Sequence, residues 1–173
     1  MFMESSYLNV ISILLYLILI FLAVTLTVTG AMVIIARLTR RIDEKKEIVR
    51  NRNVGIALVF SSFLWAIGNL TLQSIRPIMN SWYTLYSRGF DFGRGVTFAL
   101  KIIGSLLIAL GFGAVAIFLS IRVLMVLHRK IDEWEEIKNG NLAVAITISV
   151  TVVVVGMFFQ PVVNAVIATV LRI

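Results

Sequence analysis

Arg40-Arg41-Ile42-Asp43-Glu44-Lys45-Lys46-Glu47-Ile48 returns as Arg129-Lys130-Ile131-Asp132-Glu133-Trp134-Glu135-Glu136-Ile137, at a constant offset of 89 positions. After one deletion the correspondence continues at offset 88, where Asn53, Ala57 and Gly68 pair with Asn141, Ala145 and Gly156. Each copy is a charged island between two long apolar runs. Self-similarity of this kind points to one structural unit used twice. The expected organisation is a two-span unit over 1–80, an aromatic and glycine-rich loop over 81–94, and a second two-span unit over 95–173.

The runs flanking the islands set the fold class. Of 173 residues, 60% are hydrophobic and 14% charged, against about 25% charged in a soluble domain; mean hydropathy is +0.99. The apolar residues fall near 7–36, 54–79, 95–127 and 142–171. Each run exceeds the ~20 residues that cross ~30 Å of hydrocarbon as a helix. An all-α, polytopic membrane protein of two helical hairpins is expected. The first run is read as a retained span, because Glu4 and no Lys or Arg precedes it and its length is about twice a signal-peptide core. Runs one and three are the longer partners, runs two and four the shorter. Asn53 and Asn141 sit where N-caps of spans two and four belong.

Seven basic residues lie at the first island (Arg37, Arg40, Arg41, Lys45, Lys46, Arg50, Arg52) and four at the second (Arg122, Arg129, Lys130, Lys138). Arg76, Arg88, Arg94, Lys101 and Arg172 lie on the other side. The positive-inside rule makes the islands cytoplasmic and both termini external, in a cell (inner) membrane. Two spans per unit give both units one orientation, a parallel repeat rather than an inverted one. The net charge of +7 is accounted for by anionic lipid headgroups near Arg40, Arg41, Lys45 and Lys46, and no nucleic-acid partner is expected. Ile42, Ile48 and Val49, and Ile131, Trp134 and Ile137, recur among these charges at roughly helical spacing, as in a headgroup-level amphipathic helix. Asp132, Glu133, Glu135 and Glu136 around Trp134 would suit the basic island of a neighbouring copy. The loop aromatics Trp82, Tyr83, Tyr86, Phe90 and Phe92 fit an interfacial belt.

Span two carries Gly55, Ser62, Asn69, Gln73, Arg76 and Asn80 within roughly 60° of one another at helical spacing. Polar groups are costly against lipid, so this stripe is a lined pathway or an interhelical hydrogen-bonding face. Lys101, at a depth similar to that of Arg76, would add to an electropositive mouth. Span three carries Ser105, Ala109, Gly113, Ala116 and Ser120 on one face, a small-residue packing surface within or between subunits. No Asp or Glu lies inside a span, which argues against proton relays and carboxylate cation sites. His128 is the single histidine and there is no cysteine. Catalytic, metal-binding and cofactor-binding residues are therefore not expected, and neither is enzymatic activity.

The island motif carries a resemblance. Glu47, Ile48, Asn53, Gly55 and Ala57, repeated as Glu136, Ile137, Asn141, Ala143 and Ala145 in a four-span chain, resemble domain of unknown function 350. This family comprises small prokaryotic inner-membrane proteins. The first copy departs from the pattern by the inserted Arg52 and by Gly55 where Ala is usual. The resemblance implies architecture and membrane location, with no established activity. The functional expectation is a homo-oligomeric membrane assembly, with an anion-preferring channel or carrier as the alternative. On the sequence alone, Gly113→Leu should weaken oligomers while Asn69→Leu leaves them intact.

Overall fold

The computed structural model describes residues 2–39, 46–87, 91–127 and 132–171. It consists of α1 (Phe2–Leu38), a π-helical turn (Lys46–Arg50), α2 (Val54–Ser87), α3 (Phe92–Leu127), the short α4 (Glu133–Lys138) and α5 (Leu142–Val170). No strand occurs among the described residues. Helices α1, α2, α3 and α5 each contain an apolar window long enough to cross a bilayer. The protein is an all-α, multi-pass membrane protein.

Span two ends later than its hydropathy suggests. Helix α2 runs through residues 80–87 and α3 begins at Phe92, so most of the 81–94 segment read as a loop is helical. Trp82 and Tyr83 belong to α2. The ring of Trp82 lies 6.0 Å from that of Phe98 on α3, and Ile78 and Leu85 are buried. Asn80, Ser81, Thr84 and Ser87 lower the hydropathy without opposing the helix, because α3 continues to cover the apolar face of α2. The most apolar run therefore ends before the helix does. At 34 residues α2 is only slightly shorter than its hairpin partner α1, at 37.

Helix α2 is the centre of the bundle. It packs most extensively on α5 and also on α3 and α1. Of its apolar window 56% is buried, against 28% for α1 and for α5. Helices α2 and α5 run parallel: a Cβ on Gly55 would meet Ala145, one on Gly156 would meet Ala66, and Ser81 Oγ donates to Leu171 O. Each pair is 90 positions apart. Helices α2 and α3 run antiparallel, with Gly113 against Ile67 and Trp82 beside Phe98. Between membrane helices there is little hydrophobic drive, and close approach at small residues supplies the packing energy.

The islands fold back onto one end of this bundle, here termed the island end. Ile137 of α4 is fully buried against Gly55, and Trp134 and Ile48 pack at the edge of the same core. Val49 is exposed. Arg40, Arg41, Ile42, Lys45, His128 and Ile131 lie outside the described residues. Asp132 caps α4 by accepting from Trp134 N and Glu135 N. The carboxylate of Glu136 accepts from Asn141 Nδ2 at 2.8 Å, and Glu133 is buried. The acidic cluster is thus largely engaged within its own chain, which leaves Glu135 as its exposed member beside the capping Asp132.

Both asparagines cap the helices that follow. Asn53 Oδ1 accepts from Ile56 N and Asn141 Oδ1 from Val144 N. Asn53 N donates to Glu47 O and Asn141 N to Glu136 O. The first of these closures spans one residue more than the second. The π-turn bond Asn51 N to Lys46 O takes up that extra residue, where the second island has the α-type bond Asn139 N to Glu135 O. A single-turn π element is the usual way for a helix to accommodate one extra residue.

The residue before each cap is left-handed: Gly140 has φ +88° and Arg52 has φ +52°. For a non-glycine residue this conformation costs on the order of 1–2 kcal/mol. Arg52→Gly should therefore raise stability, by about 1 kcal/mol after the extra unfolded-state entropy of glycine is deducted. Denaturant titration of the protein in mild detergent reads this directly, and an unchanged or lowered midpoint would refute it.

Candidate functional site

The polar stripe of α2 changes its surroundings along its length. Gly55 is buried against Ala145 and Ile137. Ser62 is buried, and its hydroxyl is spent on Val59 O at 2.7 Å. Asn69 and Gln73 are half-buried, and Arg76 and Asn80 are exposed. Gln73 and Asn80 lie 18 residues, five full turns, beyond Gly55 and Ser62 and so point the same way. What changes is the cover: Ala145 and Ile137 lie over Gly55, whereas open grooves flank Arg76 and Asn80. The stripe is therefore not one continuous lining within the chain.

Its half away from the island end lies on the side of α2 that no described helix covers, with grooves toward α1 and α5 at Arg76 and Asn80. Trp65, Leu72 and Tyr83 are exposed along the same side. The opposite surface, on α3, exposes Ile103, Leu107, Val115 and Phe118 and suits lipid. The side chains of Asn69, Gln73, Arg76 and Asn80 have no hydrogen-bond or ion-pair partner among the described residues. Asn69 lies 15 residues into α2, about 22 Å along its axis. That is well inside the ~30 Å hydrocarbon thickness if α2 enters it at Val54.

Two open grooves meet at Arg76 and Asn80. One, of about 400 Å³, lies between α2 and α5 and is also lined by Ser81, Thr84 and Asn164. The other, of about 780 Å³, lies between α1 and α2 and is lined by Ile13, Tyr16, Leu17, Ile75, Met79 and Tyr83. Neither has a carboxylate among its described lining residues. Lys101, half-buried on α3, is not among the residues lining either groove. Asn164 of α5 joins the polar groove instead. The parallel α2–α5 pairing places it there, a relation that helical periodicity within span two could not reveal.

The small-residue face of α3 is turned inward. Ser105, Ala109, Gly113, Ala116 and Ser120 are all buried. A Cβ on Gly113 would stand 2.9 Å from Ile67 Cγ1 and 3.3 Å from its Cα. Ser105 and Ser120 donate to Lys101 O and Ala116 O one turn back. Between the two locations that the sequence left open, this face packs within the chain. Gly113→Leu is therefore a test of folding, and Asn69 lies on the face available to a neighbour, which reverses the sequence-based expectation for these two substitutions.

The island motif residues gather at the island end. Glu47 Oε2 accepts from Asn51 Nδ2, and Ala145 and Ile137 are buried in the core that Ile48 borders. Asn53 also donates through Nδ2 to Ile137 O and Lys138 O, at 2.9 and 3.1 Å, which links the two halves of the chain. Ala57 follows the Asn53 cap, donating its N–H to Asn53 O.

The family model described as Domain of Unknown Function (DUF350) matches residues 95–171, from the first turn of α3 to Leu171. The resemblance carried by Glu136, Ile137, Asn141 and Ala145 thus holds over the second two-helix unit. No curated protein and no solved structure matches the chain.

Proposed function

We propose that this protein is a non-enzymatic component of the cell (inner) membrane that self-associates through the uncovered side of α2. The observation that carries the reading is the set of amides, Asn69 and Gln73, without partners at hydrocarbon depth. An unpaired amide in an apolar medium costs several kcal/mol, and a second copy presenting the same stripe would satisfy both partners at once. Two-fold contacts of this self-complementary kind are the commonest route to homo-oligomers. The islands would face the cytoplasm, as the eleven basic residues at that end against five favour.

Support for an internal parallel repeat comes from the α2–α5 register of 90 positions, which is two residues from the 88 of a perfect two-fold pair. The matched closures Asn53 N to Glu47 O and Asn141 N to Glu136 O point the same way.

Interhelical hydrogen bonds in membranes average ~0.6 kcal/mol and reach ~1.7. The double substitution Asn69→Leu, Gln73→Leu should therefore weaken association by roughly 1–3 kcal/mol, read as a shift from oligomer to monomer by light scattering in mild detergent and by cross-linking in lipid. A wild type that is monomeric in both settings would refute the reading, as would an oligomer that the double variant leaves unchanged. The second reading is an anion-preferring pathway. It would have to form between copies, because Gly55 and Ser62 are buried inside each one. Anion flux in liposomes that Arg76→Ala abolishes would favour it.

A further inference from the structure

The parallel pairing of α2 and α5 supports an inference that rests on self-association and deepens it. The seam between these helices is fixed where Ala66 meets Gly156, and again at the groove that Pro77 and Asn164 both line. Gln73 lies seven residues beyond Ala66 and four before Pro77, so it sits on the same side of α2 as both. Gln160 lies four residues from Gly156 and four from Asn164, in one row along α5. The two glutamines therefore flank one seam between two fixed contacts. Both are half-buried. Neither of their amides, nor that of Asn69 or Asn164, has a hydrogen-bond partner among the described residues. The neighbouring helices are described throughout this level: α1 from Tyr16 beside Arg76 to Thr27 beside Gly68, and α3 from Phe98 beside Trp82 to Gly113 beside Ile67. With α2 and α5 entering the hydrocarbon at their first residues, Asn69 stands about 22 Å and Gln160 about 27 Å along its helix, inside ~30 Å of hydrocarbon. The chain's two prolines, Pro77 and Pro161, add to the demand for donors. Each lacks an N–H, which leaves Gln73 O and Met157 O without their intrahelical partner.

We propose that the self-association surface is a composite of α2 and α5, on which a second copy lays its own Asn69, Gln73, Gln160 and Asn164 against these amides. Copies in one membrane share an orientation, so a two-fold axis along the membrane normal sets each residue opposite residues of the same depth. An amide carries two donors and an acceptor and is its own complement. Hydrocarbon offers neither donor nor acceptor. A second copy of the chain is therefore the occupant that brings matching groups to every one of these levels. The surface turns toward α5 and not toward α1, because α1 has no amide between Tyr16 and Thr27. The hydroxyls of Thr25 and Thr29 donate to Phe21 O and Thr25 O within their own helix.

The chain contains no cysteine, so single introduced cysteines report contacts in isolated membranes without further substitution. Leu72→Cys on α2 and Met157→Cys, one turn before Gln160 on α5, replace exposed side chains. Both should give covalent dimers with a short bifunctional cross-linker. Phe21→Cys on α1 and Leu107→Cys on α3, exposed elsewhere on the bundle, should not. Gln160→Leu should lower the association constant in mild detergent roughly threefold to tenfold, with the unfolding midpoint of the protomer kept. A Gln160→Leu protein that associates as the wild type does, or the lack of a dimer through Met157→Cys, would overturn the part assigned to α5. If Leu72→Cys still gave dimers, self-association through α2 would stand without it. A wild type that is monomeric in lipid and in detergent would remove both. Dimers through Phe21→Cys or Leu107→Cys alone, or adducts of Leu72→Cys and Met157→Cys with a different protein, would also overturn the composite surface.

Discussion

Gly113→Leu should strongly destabilise the folded bundle rather than disperse an oligomer. At Gly113 the backbone of α3 comes so close to α2 that even a methyl group would meet Ile67 Cγ1 at 2.9 Å and its backbone Cα at 3.3 Å. Leucine adds three further carbons where the nearest atoms belong partly to backbone. Overpacking a formed core costs ~1–3 kcal/mol, and more where the backbone must move. Here the helices would have to separate, and the loss would spread to the neighbouring contacts of Ile67, Phe63 and Ile117, all fully buried. An effect of at least ~3 kcal/mol is expected, against a typical total stability of ~5–15 kcal/mol. It would appear as a large fall in the denaturant midpoint in detergent and as loss of a discrete chromatographic peak. Gly111→Leu, two residues away and with open space at its Cβ, serves as the control and should change little. A Gly113→Leu protein that keeps the wild-type midpoint would refute the close α2–α3 approach.

Much of this architecture is legible in the sequence, and the parts that are not share one cause. Periodicity and hydropathy act along a single helix. They identify four apolar helices, the small-residue face of α3 and the two asparagine caps. They do not say which neighbour a face meets. Ser105 to Ser120 read equally well as an internal or an external surface, and the burial of all five decides for the interior. The polar stripe of α2 looked continuous because six residues share an angular window. The neighbours separate its ends: Ala145 and Ile137 cover Gly55, whereas grooves open at Arg76 and Asn80. Asn164 escaped notice for a related reason: its role in the groove depends on α5 lying parallel to α2, a relation between distant segments. The end of span two was misplaced because hydropathy senses the solvent, whereas α2 continues for as long as α3 covers it.

Asn53→Asp separates a local role from a long-range one. Asp and Asn are about equally good N-caps, so if Asn53 only capped α2 the substitution would be close to neutral. The structure assigns it more. Oδ1 accepts from Ile56 N at 3.1 Å, while Nδ2 donates to Ile137 O and Lys138 O at the end of α4. Terminal carbonyls of a helix lack intrahelical partners, and for α4 the amide of Asn53, 84 residues away in sequence, supplies a donor. Aspartate keeps the acceptor, removes both donors and sets a carboxylate oxygen against two carbonyl oxygens. Each lost hydrogen bond costs ~1 kcal/mol net, and the repulsion adds to that. Asn53→Asp is therefore expected to destabilise by roughly 2–4 kcal/mol; Asn53→Ala loses the same two donors and also the cap, at ~0.5–2 kcal/mol, but brings no repelling carboxylate. The stability of Asn53→Asp relative to wild type, with Asn53→Ala as the reference, is the decisive measurement in a denaturant titration. If Asn53→Asp were as stable as wild type while Asn53→Ala fell, Asn53 would be a cap and nothing more, and the tie between the two halves of the chain would have to lie elsewhere.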